Sequence, residues 1–465
     1  MTPPIAPRLV DLAERALGGP LPVRVRAWDG SEAGAPAGPG TPVVVLADRR
    51  ALRRLLWHPG ELGLARAFVA GELDVEGDLA DGLRRCWRLV RDRRTGAVTG
   101  PRWAAVRLAL RLGAVGPRPA APGSEARLRG QLHSRARDRA AIAHHYDLSN
   151  RFYELLLDPR MAYSCGYWTA EEPGYELADA QRDKLDLICR KLDLRPGMRL
   201  LDVGCGWAGL VIHAARHYGV RATGVTLSAE QRAFGLARVA EYGLAGQVEI
   251  RVQDYRETAD PPFDAVASIE MGEHVGQSHY PTYAAALYRL LRPEGRLLLQ
   301  QMSRGAAGRD SAPGGGAFIE RYVAPDMYMR PLGATIELLE RAGHEVVDVH
   351  SLREHYAWTV RPWLATLRER RAEAEALVGE QQYRVWLLYL AGAALAFEEG
   401  RMGVHQILTV RPAADGRTGL PRSRGAILWP DPATRPAPEP GAQPAPQPGT
   451  RPTNGQVPAQ GVPSR

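Results

Sequence analysis

Lysine is almost missing from this chain: Lys184 and Lys191 are the only two among 60 basic residues, so nearly all positive charge rests on arginine, as in a GC-rich coding habit. Cysteine is also scarce. Cys86, Cys165, Cys189 and Cys205 show neither C-x-x-C spacing nor a compact pairing pattern, which argues against a zinc site or disulfide framework and for a reducing cytoplasm. Crossing a bilayer takes about 20 apolar residues, and the longest apolar run, Val385 to Phe397, falls short of that. Met1 to Pro7 leads into a charged amphipathic segment instead of a secretory signal, so any membrane contact is expected to be peripheral. Acidic residues are short locally. From Arg84 to Arg139 fifteen arginines face only Asp92, Glu125 and Asp138, in a chain of net charge +8. Such a belt calls for an anionic partner, either a phospholipid surface or a nucleic acid. The absence of an Asn-Pro-Pro-Tyr tetrad and of a base-stacking module disfavours nucleic acid.

At 465 residues and 45% apolar, the chain has room for two or three domains with a real core. Residues 8–95 read as a small N-terminal α+β domain. Pro3 to Leu17 is helical in pattern, Val23 to Trp28 and Pro42 to Leu46 are short strands around a Gly/Pro-rich loop, and Leu79 to Val90 is a helix. Its expected role is lipid docking or a homodimer contact. Residues 96–140 read as an Arg-rich linker, Pro/Ala/Gly-rich from Ala114 to Gly123, with a lead-in helix from Gln131. Strands and helices then alternate through 141–412, with strands at 199–203, 222–227, 247–252, 263–269 and 296–301, a turn at Pro293 to Gly295, and closing strands at 344–350 and 404–410. That alternation predicts an α/β fold, a doubly wound Rossmann-like sheet with its ligand at the carboxyl ends of the strands. Residues 413–465 lack helical or strand period and are rich in Pro, Ala, Gln and Gly, which predicts a disordered tail.

The sharpest local signal is Arg199-Leu-Leu-Asp-Val-Gly-Cys-Gly-Trp-Ala-Gly209, a buried strand running into a glycine turn and a helix. Gly204, Gly206 and Gly209 satisfy the dinucleotide pattern G-x-G-x-x-G, but a nicotinamide site wants a carboxylate ending the next strand. Arg221 to Thr226 ends without one. Asp202 instead gives the Asp-x-Gly-x-Gly order of S-adenosylmethionine (SAM) methyltransferases. Ser228 and Gln231 have the spacing of a capping box at the following helix.

Four segments in order resemble the cyclopropane-fatty-acyl-phospholipid synthases and their mycolic-acid and methylated-fatty-acid relatives. They are His144 to Asn150 with Met161 to Trp168; Leu200 to Trp207 with Gly224 to Gln231; Gln253 to Arg256 with Ser268 to Gly276; and His355, Tyr356, Trp363 and the helix Tyr389 to Phe397. The resemblance implies a class I SAM-methyltransferase fold and transfer of the SAM methyl to a cis double bond in a phospholipid-borne acyl chain. It assigns Tyr163, Ser164, Asp202, Gly204, Gly206, Thr226, Leu227, Ser228, Gln231, Asp254 and Tyr255 to the cofactor. It also implies a bicarbonate ion as base, held by Cys165 through its backbone, Glu273, Gln300 and Tyr356. Gln300 stands where better-known members carry His, Ala393 where they carry Cys, and Glu270 where Gly is frequent.

An alkene is a weak nucleophile, so catalysis must hold it against the sulfonium methyl in a dry pocket. The cation left on the chain would be steadied by aromatic faces, for which Tyr167, Trp168, Tyr356 and Trp363 are candidates. A base then removes a proton, and Glu270 is expected to replace bicarbonate or to organise it, next to Glu273. Ring closure gives a cyclopropane; a prior hydride shift gives a methylene branch. The competing readings are a soluble small-molecule methyltransferase and a non-enzymatic lipid-binding protein.

Overall fold

The computed structural model describes residues 3–92, 102–126, 137, 149–305 and 316–425. The stretch His144 to Leu148, most of the expected lead-in helix and the tail beyond 425 lie outside the described residues.

The N-terminal part is a four-stranded sheet, β1 (Arg24–Arg26), β2 (Glu32–Gly34), β3 (Val43–Leu46) and β4 (Leu73–Glu76), in the order β2-β1-β3-β4. Four helices accompany it: α1 (Ile5–Leu17), α2 (Arg50–Trp57), α3 (Glu61–Val69) and α4 (Leu79–Asp92). Strands β2 and β4 escaped the sequence reading because Glu32-Ala-Gly34 holds no β-branched or aromatic residue and Leu73-Asp-Val-Glu76 is a brief alternation directly behind a helical stretch. After α5 (Arg102–Arg111), the stretch Ala114 to Gly123 is irregular but is no free linker. Arg53 Nε and Arg54 Nη1 donate to the carbonyls of Ala114 (2.9 Å) and Ala120 (2.8 Å), and Trp57 Nε1 to that of Gly116 (3.1 Å). The buried Arg66–Glu125 pair, with bonds of 2.9 and 2.6 Å, fastens its end to α3. Its Pro and Gly composition rules out regular structure without ruling out packing.

The larger part runs α6 (Asn150–Leu156), α7 (Leu177–Lys191), β5 (Arg199–Val203), α8 (Gly209–Tyr218), β6 (Arg221–Thr226), α9 (Ala229–Glu241), β7 (Val248–Val252) and β8 (Phe263–Ile269). It continues through α10 (Tyr280–Leu290), β9 (Leu291–Arg304), α11 (Leu332–Arg341), β10 (Glu345–Ser351), α12 (Arg353–Glu369), α13 (Arg371–Val378), α14 (Glu380–Glu398) and β11 (Met402–Val410). Its sheet has the order β10-β11-β9-β8-β5-β6-β7, parallel from β9 through β7, with β11 antiparallel to both neighbours. The chain reverses its direction of travel between β5 and β8, and ligands of such sheets bind at that switch point. Buried Leu200 and Leu201, Ala265 to Ala267 and Leu297 to Leu299 make the central strands apolar on both faces, as helices on either side require. The expected turn at Pro293 to Gly295 is absorbed into β9. Glu294 adopts φ 63° and donates its N–H to the Arg411 carbonyl, and the register against β8 slips there as a bulge.

One hydrophobic core joins the two parts, with Leu46 and Phe68 packed into the same cluster as Phe152, Tyr356, Trp363 and Trp386. Arg384 on α14 spans the seam, donating to the carbonyls of Phe68 (2.6 Å) and Leu73 (2.8 Å). Part of the arginine belt is used internally: Arg84 pairs with Glu398, Arg85 with Asp81 and Arg137 with Asp326. Arg88, Arg107, Arg111 and Arg118 are exposed and have no acidic partner among the described residues. Among those residues, no helix is long and apolar enough to cross a membrane, and no His/Cys/Asp/Glu group could hold a metal.

Candidate active site

At the carboxyl ends of β5 and β6 lies a pocket of about 180 Å³. Its floor is the glycine turn, with Gly204 at φ 84° and Gly206 at φ 52°. A Cβ on Gly204 would sit 2.8 Å from Met271 Cγ, so both the backbone angle and the space demand glycine. Tyr163, Ser164, Asp202, Gly204, Gly206, Thr226, Leu227, Gln231, Asp254 and Tyr255 line the pocket, as the sequence reading placed them. Ser228 does not. Its hydroxyl caps α9, accepting the Gln231 N–H at 3.2 Å. The Gln231 side-chain oxygen accepts the buried Thr226 hydroxyl at 2.7 Å, so the expected reciprocal capping bond gives way to a contact inside the pocket.

Asp202 is buried, and its Oδ1 has no hydrogen-bond partner among the described residues. Burial pushes its carboxyl up to about 7, against the pull of the Lys184 ammonium. Lys184, itself buried, donates to Ser164 Oγ at 2.7 Å and fixes that hydroxyl at the pocket wall. By contrast Asp254 is tied by a forked Arg256 contact of 2.8 and 2.6 Å. An unpaired buried carboxylate beside a glycine cradle fits the ammonium end of a methionyl group, so these residues fit SAM.

Just past β8, Glu270 takes a left-handed conformation (φ 51°), which is uncommon for any residue but glycine and marks functional sites. The turn aims its carboxylate at three donors. Oε1 accepts the Cys165 N–H (2.9 Å) and Gln300 Nε2–H (2.8 Å), and Oε2 accepts the Tyr356 hydroxyl (2.6 Å). These are three of the four groups that the resemblance gave to bicarbonate. With all three engaged by Glu270, the set does not fit that ion. Gln406, directly opposite Gln300 across the β11–β9 ladder, donates to Gln300 Oε1 at 3.0 Å and so turns the Gln300 amide group toward Glu270. The fourth group, Glu273, stands apart. Its Oε1 accepts the Met302 N–H at 2.5 Å and its Oε2 has no partner among the described residues. Burial, and then the charge of Glu270, push the Glu273 carboxyl up to about 8. Burial also raises Glu270, but the bonds from Tyr356, Cys165 and Gln300 and the charge of Lys184 oppose it. Glu270 thus has three donors to favour its charged form, where Glu273 has the Met302 N–H.

A second cavity, about 590 Å³ and mostly apolar, reaches the same place from the other side. Tyr163, Glu270 and His274 line both cavities. Tyr356, Trp363, Tyr389 and Ala393 line the apolar one, where the Tyr163 hydroxyl donates to that of Tyr389 at 3.1 Å. Tyr167 and Trp168, expected at the reacting carbons, line neither cavity. Beyond Gly166 the chain passes under α12, so Tyr167 packs on His355 (5.1 Å between rings) and Trp168 Nε1 donates to Thr359 at 3.2 Å. Sequence reasoning missed Lys184, His274 and Gln406. His274 lay inside a quoted motif and Lys184 was one of two lysines; nothing in sequence marked Gln406.

The family model described as mycolic acid cyclopropane synthetase matches residues 133–407. A probable fatty acid methyltransferase of Pseudomonas putida is 40% identical over 407 residues, covering 87% of this chain and 95% of that protein. The cyclopropane-fatty-acyl-phospholipid synthase of Escherichia coli is 35% identical over 285 residues, 61% of this chain and 71% of its own. A crystal structure of a mycolic acid cyclopropane synthase complexed with SAH and CTAB superposes with TM-score 0.55 at 32% identity, over 58% of this chain and 97% of that one.

Proposed function

This chain belongs to the mycolic acid cyclopropane synthetase family and is a SAM-dependent methyltransferase; from that premise we propose that it methylates the cis double bond of an unsaturated acyl chain on a phospholipid, forming a cyclopropane. The observation that carries this reading is the meeting of a polar pocket and an apolar cavity at one buried carboxylate, Glu270. SAM supplies an electrophilic methyl carbon. Asp202 would hold its ammonium, and the glycine turn would let the backbone approach it closely. The apolar walls exclude water, and the aromatic side chains of Tyr163, Tyr356 and Trp363 among them would steady the cation left when the alkene carbon gains the methyl.

Glu270 then accepts one proton from the substrate. The chain gains one methyl and loses one proton, a net gain of CH₂. Cys165 N–H, Gln300 and Tyr356 favour the charged form of the Glu270 carboxylate and point it at the junction, so the protein carries its own base where the resemblance calls for a dissolved ion. A methylene-branched product is the second reading, favoured by the name of the 40% identical relative, a fatty acid methyltransferase. A soluble small-molecule substrate would leave the apolar cavity without a purpose. The setting we propose is the cytoplasmic face of a membrane, reached peripherally.

The test is incubation of the purified protein with SAM and vesicles of unsaturated phospholipid. Mass spectrometry should show acyl chains heavier by one CH₂, and fragmentation should separate ring from branch. Unchanged lipids, with SAM intact, would sink the reading.

A further inference from the structure

Two buried glutamines face each other across the ladder between β11 and β9. Gln300 and Gln406 are directly opposed and fully buried, in strands whose neighbouring residues Leu298, Leu299, Ile407 and Leu408 are apolar. Burying an amide is unfavourable unless its polar atoms are bonded. Gln300 meets that condition at both ends, since its Nε2 donates to Glu270 at 2.8 Å and its Oε1 accepts the Gln406 Nε2–H at 3.0 Å. Gln406 meets it at one end, because its Oε1 has no partner among the described residues. What Gln406 does is therefore read at its Nε2, and the bond made there leads to Glu270. The two ends of a carboxamide are almost equal in size, so packing alone does not choose between its orientations. Hydrogen bonds do. If Gln300 turned over, its oxygen would face a Glu270 carboxylate oxygen and its amide group would face that of Gln406, so two bonds would be lost together. A joint turn of both amides would keep the bond between them and still set two oxygens against each other at Glu270.

We propose that Gln406 is a positioning residue for proton removal: through the Gln300 amide it holds a donor on the Glu270 carboxylate, aiming that carboxylate and favouring its charged form. This deepens the methyl-transfer reading and rests on it for the role of Glu270 as base. The chain of bonds from Gln406 to Glu270 does not depend on that role. Other groups act on the same carboxylate. The Cys165 N–H from the loop before α7 and the Tyr356 hydroxyl of α12 donate to it, and Lys184 of α7 and Glu273 of the same turn are coupled to it by charge. Tyr389 of α14 and His274 line the apolar cavity beside it. Of the three bonds to Glu270, the one from Gln300 is the one that Gln406 supports.

The test uses the full-length protein with SAM and vesicles of unsaturated phospholipid. In Gln406→Leu turnover should fall about tenfold, the scale of one hydrogen bond to a charged group, with the KM for lipid and the calorimetric affinity for SAH unchanged. The acid limb of its pH profile should move up by about one unit, the equivalent of that factor. Gln406→Glu keeps the shape and adds a second readout. Protonated, it donates to Gln300 Oε1 and should work almost as well as the wild type; ionised, it only accepts, so turnover should decline as pH rises. The losses in Gln406→Leu and Gln300→Leu should not multiply, because one acts through the other. Multiplying losses, an unmoved pH profile, or wild-type turnover in Gln406→Leu would overturn the proposal. Carbon-13 NMR of glutamate-labelled protein, with Glu270 assigned by Glu270→Gln, follows the same support without any reaction. A Glu270 carboxyl that titrates about one unit higher in Gln406→Leu, in a protein that methylates no lipid, would leave the chain of bonds standing and overturn the methyl-transfer reading instead.

Discussion

Glu270 accepts a left-handed backbone that glycine would take more easily, and in return its carboxylate reaches Cys165, Gln300 and Tyr356 together. A positioned base contributes roughly 10²–10⁴ in rate, so Glu270→Gln should lower turnover by about that factor while SAM affinity, measured by calorimetry, stays put. Glu270→Gly frees the same three donors for a small anion. Added bicarbonate should then restore part of its activity and have no effect on the wild type; a wild type that needs bicarbonate would contradict the role given to Glu270. Asp202 sets a pH dependence of a different kind. Its carboxyl, lifted to about 7 by burial, must be ionised to meet the ammonium of SAM, so affinity should fall as pH drops below about 7. Titration calorimetry across that range should show the slope, and Asp202→Asn should bind weakly without it.

At the level of elements, α14 does two jobs. Its small residues keep the apolar cavity open, and its Arg384 clamps the N-terminal sheet through the carbonyls of Phe68 and Leu73. Arg384→Met keeps most of the volume but leaves buried acceptors without donors, at a cost of about 2–4 kcal/mol. Urea denaturation should show a lower midpoint with the slope unchanged; a midpoint at the wild-type value would mean that the clamp is idle. The same seam explains why the 114–123 stretch looked like a linker. Its composition excludes helix and strand, but the arginines and Trp57 that hold its carbonyls come from α2, some sixty residues earlier in the chain.

At the scale of the whole molecule, the described arginines of the belt divide into those paired with acids and those without an acidic partner among the described residues. Arg84 and Arg137 find acids 314 and 189 residues away, which no local count of charges reveals. Arg88, Arg107, Arg111 and Arg118 remain exposed, and Trp57, Leu110 and Val115 are exposed apolar side chains on the neighbouring α2–α5 region. Such a mixture suits an anionic lipid surface. Binding to phosphatidylglycerol vesicles in a flotation assay should weaken on raising salt from 0.05 to 0.5 M, because exposed charges are screened beyond roughly 10 Å at 0.1 M. Replacing these four exposed arginines by glutamine should have the same effect at low salt. Binding that ignores both changes would assign the belt some other partner.

By itself the sequence determined the main sheet, the glycine turn and, Ser228 apart, the expected residues that line the polar pocket, because strand period, glycine spacing and the Asp202 position are local and each element's chemistry is written within a few residues. The order of motifs also named the family before any contact was known. Only the tertiary structure decided where the carboxylate of Glu270 points, that Glu273 turns to the Met302 backbone, and that Tyr167 and Trp168 leave the site. Those outcomes depend on side chains brought from β8, β9, α12 and the loop before α7 to one buried point. That Leu73 and Val75 of the N-terminal sheet line the apolar cavity is of the same kind, since a wall shared by segments some three hundred residues apart exists only once the core has closed.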